Sequence, residues 1–235
     1  MNERQVVQRM NTEFRPDRNE HGYLAGMAER FVTKSTPPTC RSFNAKDVIY
    51  HEGDTVNGLF QLRGGLIKLI SYLSNGRVRI VRLCGKDDLL GLEGLLGQPY
   101  RHTAIAVSKV EIACLHANRL QSLERENPSS YCDLLRKGFD QLTASDRWLA
   151  DFSTGNVKSR IARLLEFLAN LKFGEASTTV DLLTVADMAD ILGVTAESVS
   201  RVLAEFKRMR ILQPTGVAAR ERYRIDFPRL RQEAC

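Results

Sequence analysis

An acid, a hydroxyl and a guanidinium follow one another at Glu197, Ser200 and Arg201, so that a helix would set all three on one face. These are groups that read base edges. Arginine forks onto the O6 and N7 acceptors of guanine, a carboxylate accepts from the N4 amine of cytosine, and serine serves either. Groups suited to the phosphate backbone surround them: Thr195 and Ser198 at the start of the same helix and Lys207 further along it, Lys158 on a preceding segment, and Arg220 and Arg222 further on. Glu197 and Arg201 also fit a plainer description, an ion pair one helical turn apart on a solvated surface, worth about a few tenths of a kcal/mol. The chain before and after them favours base reading.

Thr184 to Leu212 reads as two short helices meeting at a tight turn. Thr184 precedes the apolar set Met188, Ala189, Ile191 and Leu192, with Asp187 placed as the acid of a capping box. Gly193 stops that helix, because glycine takes the left-handed stop conformation at no steric cost. Thr195 caps the next one. Val199, Val202, Leu203 and Phe206 then recur at helical spacing on one buried face, which leaves Glu197, Ser200, Arg201, Ala204 and Lys207 outward. A capped helix with an acid and an arginine at its exposed start is what a major-groove reader of DNA requires.

The 235-residue length suits two modest domains, and 43% apolar content is enough to build their cores. A net charge of +6 favours a polyanionic partner. Residues 156 to 235 hold 13 Lys and Arg against 10 Asp and Glu, half of that excess, so basicity is clustered locally rather than segregated by domain. No apolar run approaches the ~20 residues that span a bilayer, and a cytoplasmic protein without membrane partners is expected. The cysteines, Cys40, Cys84, Cys114, Cys132 and Cys235, are odd in number and scattered, which argues against a disulfide framework. There is no CxxC, no metal-ligand spacing, no GxSxG and no Walker loop, so no metal and no enzymatic activity are expected.

In chain order, residues 1–20 are charged and broken by Pro16, the composition of a flexible leader, and a short helix from His21 to Val32 precedes Pro37 and Pro38. A β-rich sensor domain is expected over 21–128. Its runs are Val48–Tyr50, Leu59–Leu62, Leu66–Leu73, Val78–Leu83, Thr103–Val107 and Val110–Leu115, with Asn75 and Gly76 closing a hairpin between two alternating runs. Leu89 to Gly97 should contain a short helix. Over 129–155, Tyr131, Leu135, Gly138, Leu142, Ser145, Leu149 and Phe152 alternate four and three apart, the pattern of a dimerisation seam. Residues 156–235 form the reader, with Ile161, Leu164, Leu165 and Leu168 backing the helix pair. A strand at Thr178–Leu183 joins a hairpin of Ile211–Gln213 and Tyr223–Ile225, giving a winged helix-turn-helix with Arg220 and Arg222 on the wing. The fold class is α+β.

A β-roll, a long seam helix and a winged reader, in that order, resemble the CRP/FNR family of bacterial transcription regulators. The marks are Glu52-Gly53-Asp54, the Gly64-Gly65 pair and the GKDDLLG run from Gly85 to Gly91 in the roll, and the Gly193-Val-Thr-x-Glu-x-x-Ser-Arg string in the reader. The resemblance implies a cyclic-nucleotide-binding-like jelly roll and a homodimer on double-stranded DNA that contacts RNA polymerase. Glu197, Ser200 and Arg201 are similar to the FNR-branch triplet, which implies a palindrome of the TTGAT-N4-ATCAA kind. The rival reading is a cyclic-nucleotide-responsive regulatory subunit that acts by protein contact without DNA.

The family's effector cassette pairs a Gly-Glu with an Arg-Ser. Gly91-Leu92 and His102-Thr103 stand at those positions, with Glu93 and Arg101 one residue out of register, and Ser145-Asp146 replaces a Thr-Ser pair. On a strand, one residue reverses the facing side. The resemblance therefore favours a different or absent ligand over a cyclic nucleotide, although a shifted cassette stays open. An iron-sulfur cluster fails on spacing, since Cys40 stands alone in the N-terminal segment. Haem through His21, His51, His102 or His116 is disfavoured. Cys84 and Cys114, both in strands, are either a thiol switch or buried apolar residues.

Overall fold

The Asn75-Gly76 turn forms as its sequence dictates, Gly76 taking φ +77° and the Leu73 N–H donating to the Arg77 carbonyl at 2.8 Å. In the computed structural model, which describes residues 39–173, 178–216 and 222–234, this turn joins two strands of a β-roll. The roll strands are β1 (Thr39–Phe43), β2 (Val48–Tyr50), β3 (Gly58–Gly64), β4 (Ile67–Tyr72), β5 (Val78–Cys84), β6 (Leu89–Leu90), β7 (Thr103–Ala106) and β8 (Val110–His116). They form two four-stranded sheets, ordered β1-β8-β3-β6 and β2-β7-β4-β5, and every pairing is antiparallel. Residues 1–38, with the expected leader and the His21–Val32 helix, lie outside the described residues.

The space between the two sheets is filled from their inner faces by Phe60, Leu62, Ile67, Leu69, Val110 and Ile112. The outer face of β4 and β5 does not meet water as a two-sheet sandwich would have it. Leu66, Ile70, Ile80 and Leu83 join a second core that is otherwise built from the C-terminal part of the chain. Alternation explains the division, since Ile67 and Leu69 point inward and Ile70 outward. On β5 an extra residue intervenes, because Leu69 pairs with Arg82 while Ile70 pairs with Ile80. This bulge at Val81 turns Arg82 to the same side as Leu69.

The helix expected within Leu89–Gly97 is a 3-10 turn over Leu92–Leu96, bounded by Gly91 and Gly97 in left-handed conformation. Sequence patterning missed the short strands β1 and β6 and the helix α1 (Ala117–Glu126). The α1 start, at His116, has no side-chain cap to announce it. The long helix α2 (Pro128–Ser153) is capped by Asn127, whose side chain accepts from the Ser130 N–H at 3.1 Å. Its Gln141 amide donates to the Leu89 carbonyl at 2.8 Å, tying it to the roll.

Helix α2 does not present the expected stripe intact. Phe152 is buried, stacked edge-on to Trp148 (4.7 Å) and to Phe167 (5.8 Å). It anchors α2 to the following helix, α3 (Val157–Phe173), and so leaves the seam. The apolar residues left exposed are Leu135, Phe139, Leu142 and Leu149. Phe139, next to Gly138 and 68% exposed, adds to the stripe. Ser145 is exposed and its hydroxyl donates to the Gln141 carbonyl.

Beyond α3 come β9 (Thr179–Asp181), α4 (Val185–Leu192), α5 (Ala196–Arg208), β10 (Leu212–Pro214), β11 (Arg222–Ile225) and α6 (Phe227–Glu233). The strands form the small sheet β10-β11-β9, with Leu212 opposite Ile225 and Tyr223 opposite Val180. Helices α3, α4 and α5 bury Ile161, Leu164, Leu165, Met188, Ile191, Val199 and Phe206 against this sheet. Helix α6 was not expected, although Asp226 caps it with Pro228 in its first turn.

Candidate nucleic-acid interface

The two reader helices are fixed at their starts by hydroxyls. Thr184 Oγ1 accepts from the Asp187 N–H at 3.0 Å, and Thr195 Oγ1 from the Ser198 N–H at 3.2 Å. The Thr195 and Ser198 hydroxyls also bond each other at 2.9 Å. Both therefore sit where the unpaired N–H groups of α5 gather, a natural place for a phosphate oxygen. Between the helices Gly193 takes φ +63°. A Cβ there would collide with the Arg79 guanidinium from the roll hairpin.

Val199, Val202, Leu203 and Phe206 turn inward as expected. Glu197 and Arg201 project outward, their side chains 82% and 72% exposed and joined at 3.0 Å. Ser200 is exposed beside them. The structure thus brings the three base-reading candidates together at the open end of α5. The ion pair does not lock them, because an exposed pair of this kind is worth at most about 1 kcal/mol.

The expected phosphate contacts divide. Lys158 is engaged inside the reader, its ammonium 2.8 Å from Glu205 and 2.7 Å from Glu233, and the hydrogen bond to Glu205 leads the causes that raise its pKa. Arg222 forks onto Asp181 at 2.6 and 3.2 Å, which raises its pKa as well. Lys207 lies over the Tyr223 ring at 4.7 Å. Lys158 and Arg222 thus each hold an ion pair with carboxylates distant in sequence, which the spacing of residues does not announce. Arg220 lies outside the described residues.

In the roll, Gly91 (φ +83°) must be glycine, since a Cβ would come within 2.6 Å of the Gly58 carbonyl. Glu93 Oε1 accepts from the Arg101 N–H at 3.3 Å, while the Arg101 guanidinium reaches Gln98 at 2.5 Å. Thr103 is buried, and its hydroxyl accepts from the Glu52 N–H at 3.0 Å. His102 is half-buried; burial lowers its pKa against the opposing pull of Glu93. The sequence reading missed Arg82, whose charge is felt by His102, Tyr50, Cys84 and Asp88; the bulge that aims it inward has no local sequence mark. Tyr50 stacks on Tyr100 at 3.7 Å and on Phe60 at 6.0 Å inside the roll.

Cys84 and Cys114 are buried and free, on β5 and β8 of the two facing sheets. Burial pushes the Cys84 thiol up to about 12 and raises that of Cys114 too. Among the described residues, no group of three or more His, Cys, Asp or Glu could hold a metal ion.

Residues 40–127 match the cyclic nucleotide-binding domain and residues 159–233 the Crp-like helix-turn-helix domain. The chain belongs to the CRP/FNR family. Family regulators of similar sequence include the transcriptional regulator LdrP of Thermus thermophilus, 29% identical over 198 residues, which cover 83% of this chain and 96% of LdrP. The transcriptional activator FnrL of Cereibacter sphaeroides is 28% identical over 214 residues, 88% of this chain and 85% of FnrL. Among solved structures, a CRP-family transcriptional regulator of Thermus thermophilus superposes with TM-score 0.70 at 27% identity, over 83% of this chain and 96% of that one. FixK2 of Bradyrhizobium japonicum shares the fold, with TM-score 0.74 at 21% identity over 85% of this chain and 98% of its own. The CRP/FNR chain described here is accordingly an α+β protein with the roll and the DNA-binding reader of a transcription regulator.

Proposed function

We propose that this CRP/FNR protein is a homodimeric, sequence-specific transcription regulator that binds a TTGAT-N4-ATCAA-like palindrome and takes its signal through the roll. The observation that carries the reading is the exposure of Glu197, Ser200 and Arg201 together at the capped start of α5. Two such helices related by a twofold axis address half-sites about one helical turn apart. The stripe Leu135, Phe139, Leu142 and Leu149 supports a dimer, because apolar groups on one helix face gain by covering one another. The protein acts by binding rather than catalysis. Contacts to RNA polymerase would come from exposed loops of roll or reader. Among the described residues no helix is long and apolar enough to cross a membrane, which supports a cytoplasmic site of action.

Leu92 in place of the family's glutamate speaks against a cyclic nucleotide held in the usual way, which favours a different ligand or none. Fluorescence anisotropy with a duplex carrying the palindrome tests the DNA reading. Wild-type protein binds it at least about a thousandfold more tightly than a scrambled duplex. Arg201→Ala removes about 1–3 kcal/mol per half-site and relaxes the preference at one base pair. Equal affinity of Arg201→Ala and wild type would refute the assignment.

A further inference from the structure

The turn into α5 is flanked by positive charge that does not come from the reader. Arg77, in the turn just before β5, and Arg79, on β5, line a cleft of about 240 Å³ together with Asn75, Ala189, Asp190 and Gly193. The Arg79 guanidinium lies directly against Gly193, two residues before the Thr195 cap of α5. Arg77 is exposed, and Arg79 half-buried. Acidic groups face them from α4. Asp187 is taken by Lys68, whose ammonium is 2.5 Å away, and Asp190 is within reach of Lys68, Arg77 and Arg79. Arg160, from α3, also feels Arg79 but donates to the Phe152 and Leu192 carbonyls. Two arginines thus stand against the one carboxylate that Lys68 leaves.

In a helix-turn-helix seated in the major groove, the first helix crosses the sugar-phosphate backbone beside the groove. Groups at the end of α4 and at its turn therefore run along a phosphate strand. Within the reader, Lys158 and Arg222 are already ion-paired with carboxylates, so a phosphate competes there with partners that Arg77 and Arg79 meet only in Asp190.

We propose that Arg77 and Arg79 of the β4–β5 hairpin bind the phosphate backbone of the duplex that α5 reads, so that the sensor roll forms part of the DNA-binding surface. The assignment rests on the DNA-binding reading above. A displacement of this hairpin would then add or remove phosphate contacts directly, as well as moving the reader.

The test is the salt dependence of affinity, measured by anisotropy with full-length protein on the palindrome and on an unrelated duplex. Each phosphate contact contributes about 0.9 to the slope of log K against log salt. Arg77→Gln lowers the slope by about 0.9 per protomer and Arg77→Gln/Arg79→Gln by about twice that, with equal proportional loss on both duplexes. Arg79→Lys retains the slope, because a phosphate contact needs the charge whereas packing against Gly193 needs the guanidinium. An unchanged slope in Arg77→Gln, at an exposed position where folding is not at stake, overturns the assignment, as does a loss confined to the palindrome. A wild-type protein that binds neither duplex would instead remove the DNA-binding reading itself, and this assignment with it.

Discussion

Thr195 shows how much one residue can carry: its oxygen caps α5 through the Ser198 N–H and meets the Ser198 hydroxyl, so the group that starts the helix also presents donors to a phosphate. The cysteines show the opposite, because their behaviour depends on surroundings invisible in the sequence. Cys40 and Cys132 are exposed while Cys84 and Cys114 are buried. The thiolate is the reactive form, and for Cys84 it is suppressed to about pH 12. Brief alkylation of native protein with iodoacetamide should therefore modify Cys40 and Cys132 and spare Cys84 and Cys114, as mass mapping would show. Asp88 permits a pH prediction. Burial raises its carboxyl pKa despite the hydrogen bond from the Gly85 N–H. A raised carboxyl favours folding fully below the ordinary carboxylate range, and that benefit is lost as pH rises through the folded value. Asp88→Asn should then melt above wild type at pH 7, with the gap closing as pH falls to the ordinary carboxylate range and below. A gap independent of pH would contradict this origin.

At the scale of elements, α2 separates what periodicity can and cannot say. The four-three spacing predicts an apolar face, and the face exists, but spacing does not say what lies opposite each residue. Phe152 meets Trp148 and Phe167 within its own chain, whereas Phe139, off the expected register, is exposed. The two phenylalanines should consequently fail differently when changed. Phe152→Ala removes a buried ring and costs about 3–5 kcal/mol in urea unfolding. Phe139→Glu leaves the melting of each chain nearly unchanged but shifts sedimentation toward the monomer, by placing like charges across the proposed seam. The reader helices were legible in full because their marks are local: a hydroxyl cap three residues from its N–H partner, a glycine stop, and apolar residues on one face. Helix α1 carries no such cap and was not legible. For α6 the cap was present at Asp226, and it went unread.

At the scale of the whole molecule, roll and reader share a core. Leu66, Ile70, Ile80 and Leu83 pack with the reader's Leu168, Ala189 and Leu192, and Lys68 reaches Asp187 across the junction. With both side chains at 22% or less exposure, removing one partner leaves the other poorly solvated. Lys68→Ala should cost about 1–3 kcal/mol, and Lys68→Ala/Asp187→Ala less than the sum of the single changes, by about 0.5 kcal/mol or more in a double-mutant cycle. Strict additivity would mean that the pair does not couple the two parts. Caps, turns, the alternation of the roll strands and the outward set on α5 were determined by the sequence alone, since each arises between residues a few positions apart. Only the tertiary structure decided that Lys158 and Arg222 are ion-paired with carboxylates, that Phe152 belongs to a core rather than a seam, that Arg82 turns into the roll, and that Arg79 arrives beside Gly193. Each of these joins residues that lie far apart in the chain, and charge and packing at that range depend on which surfaces the fold brings into contact.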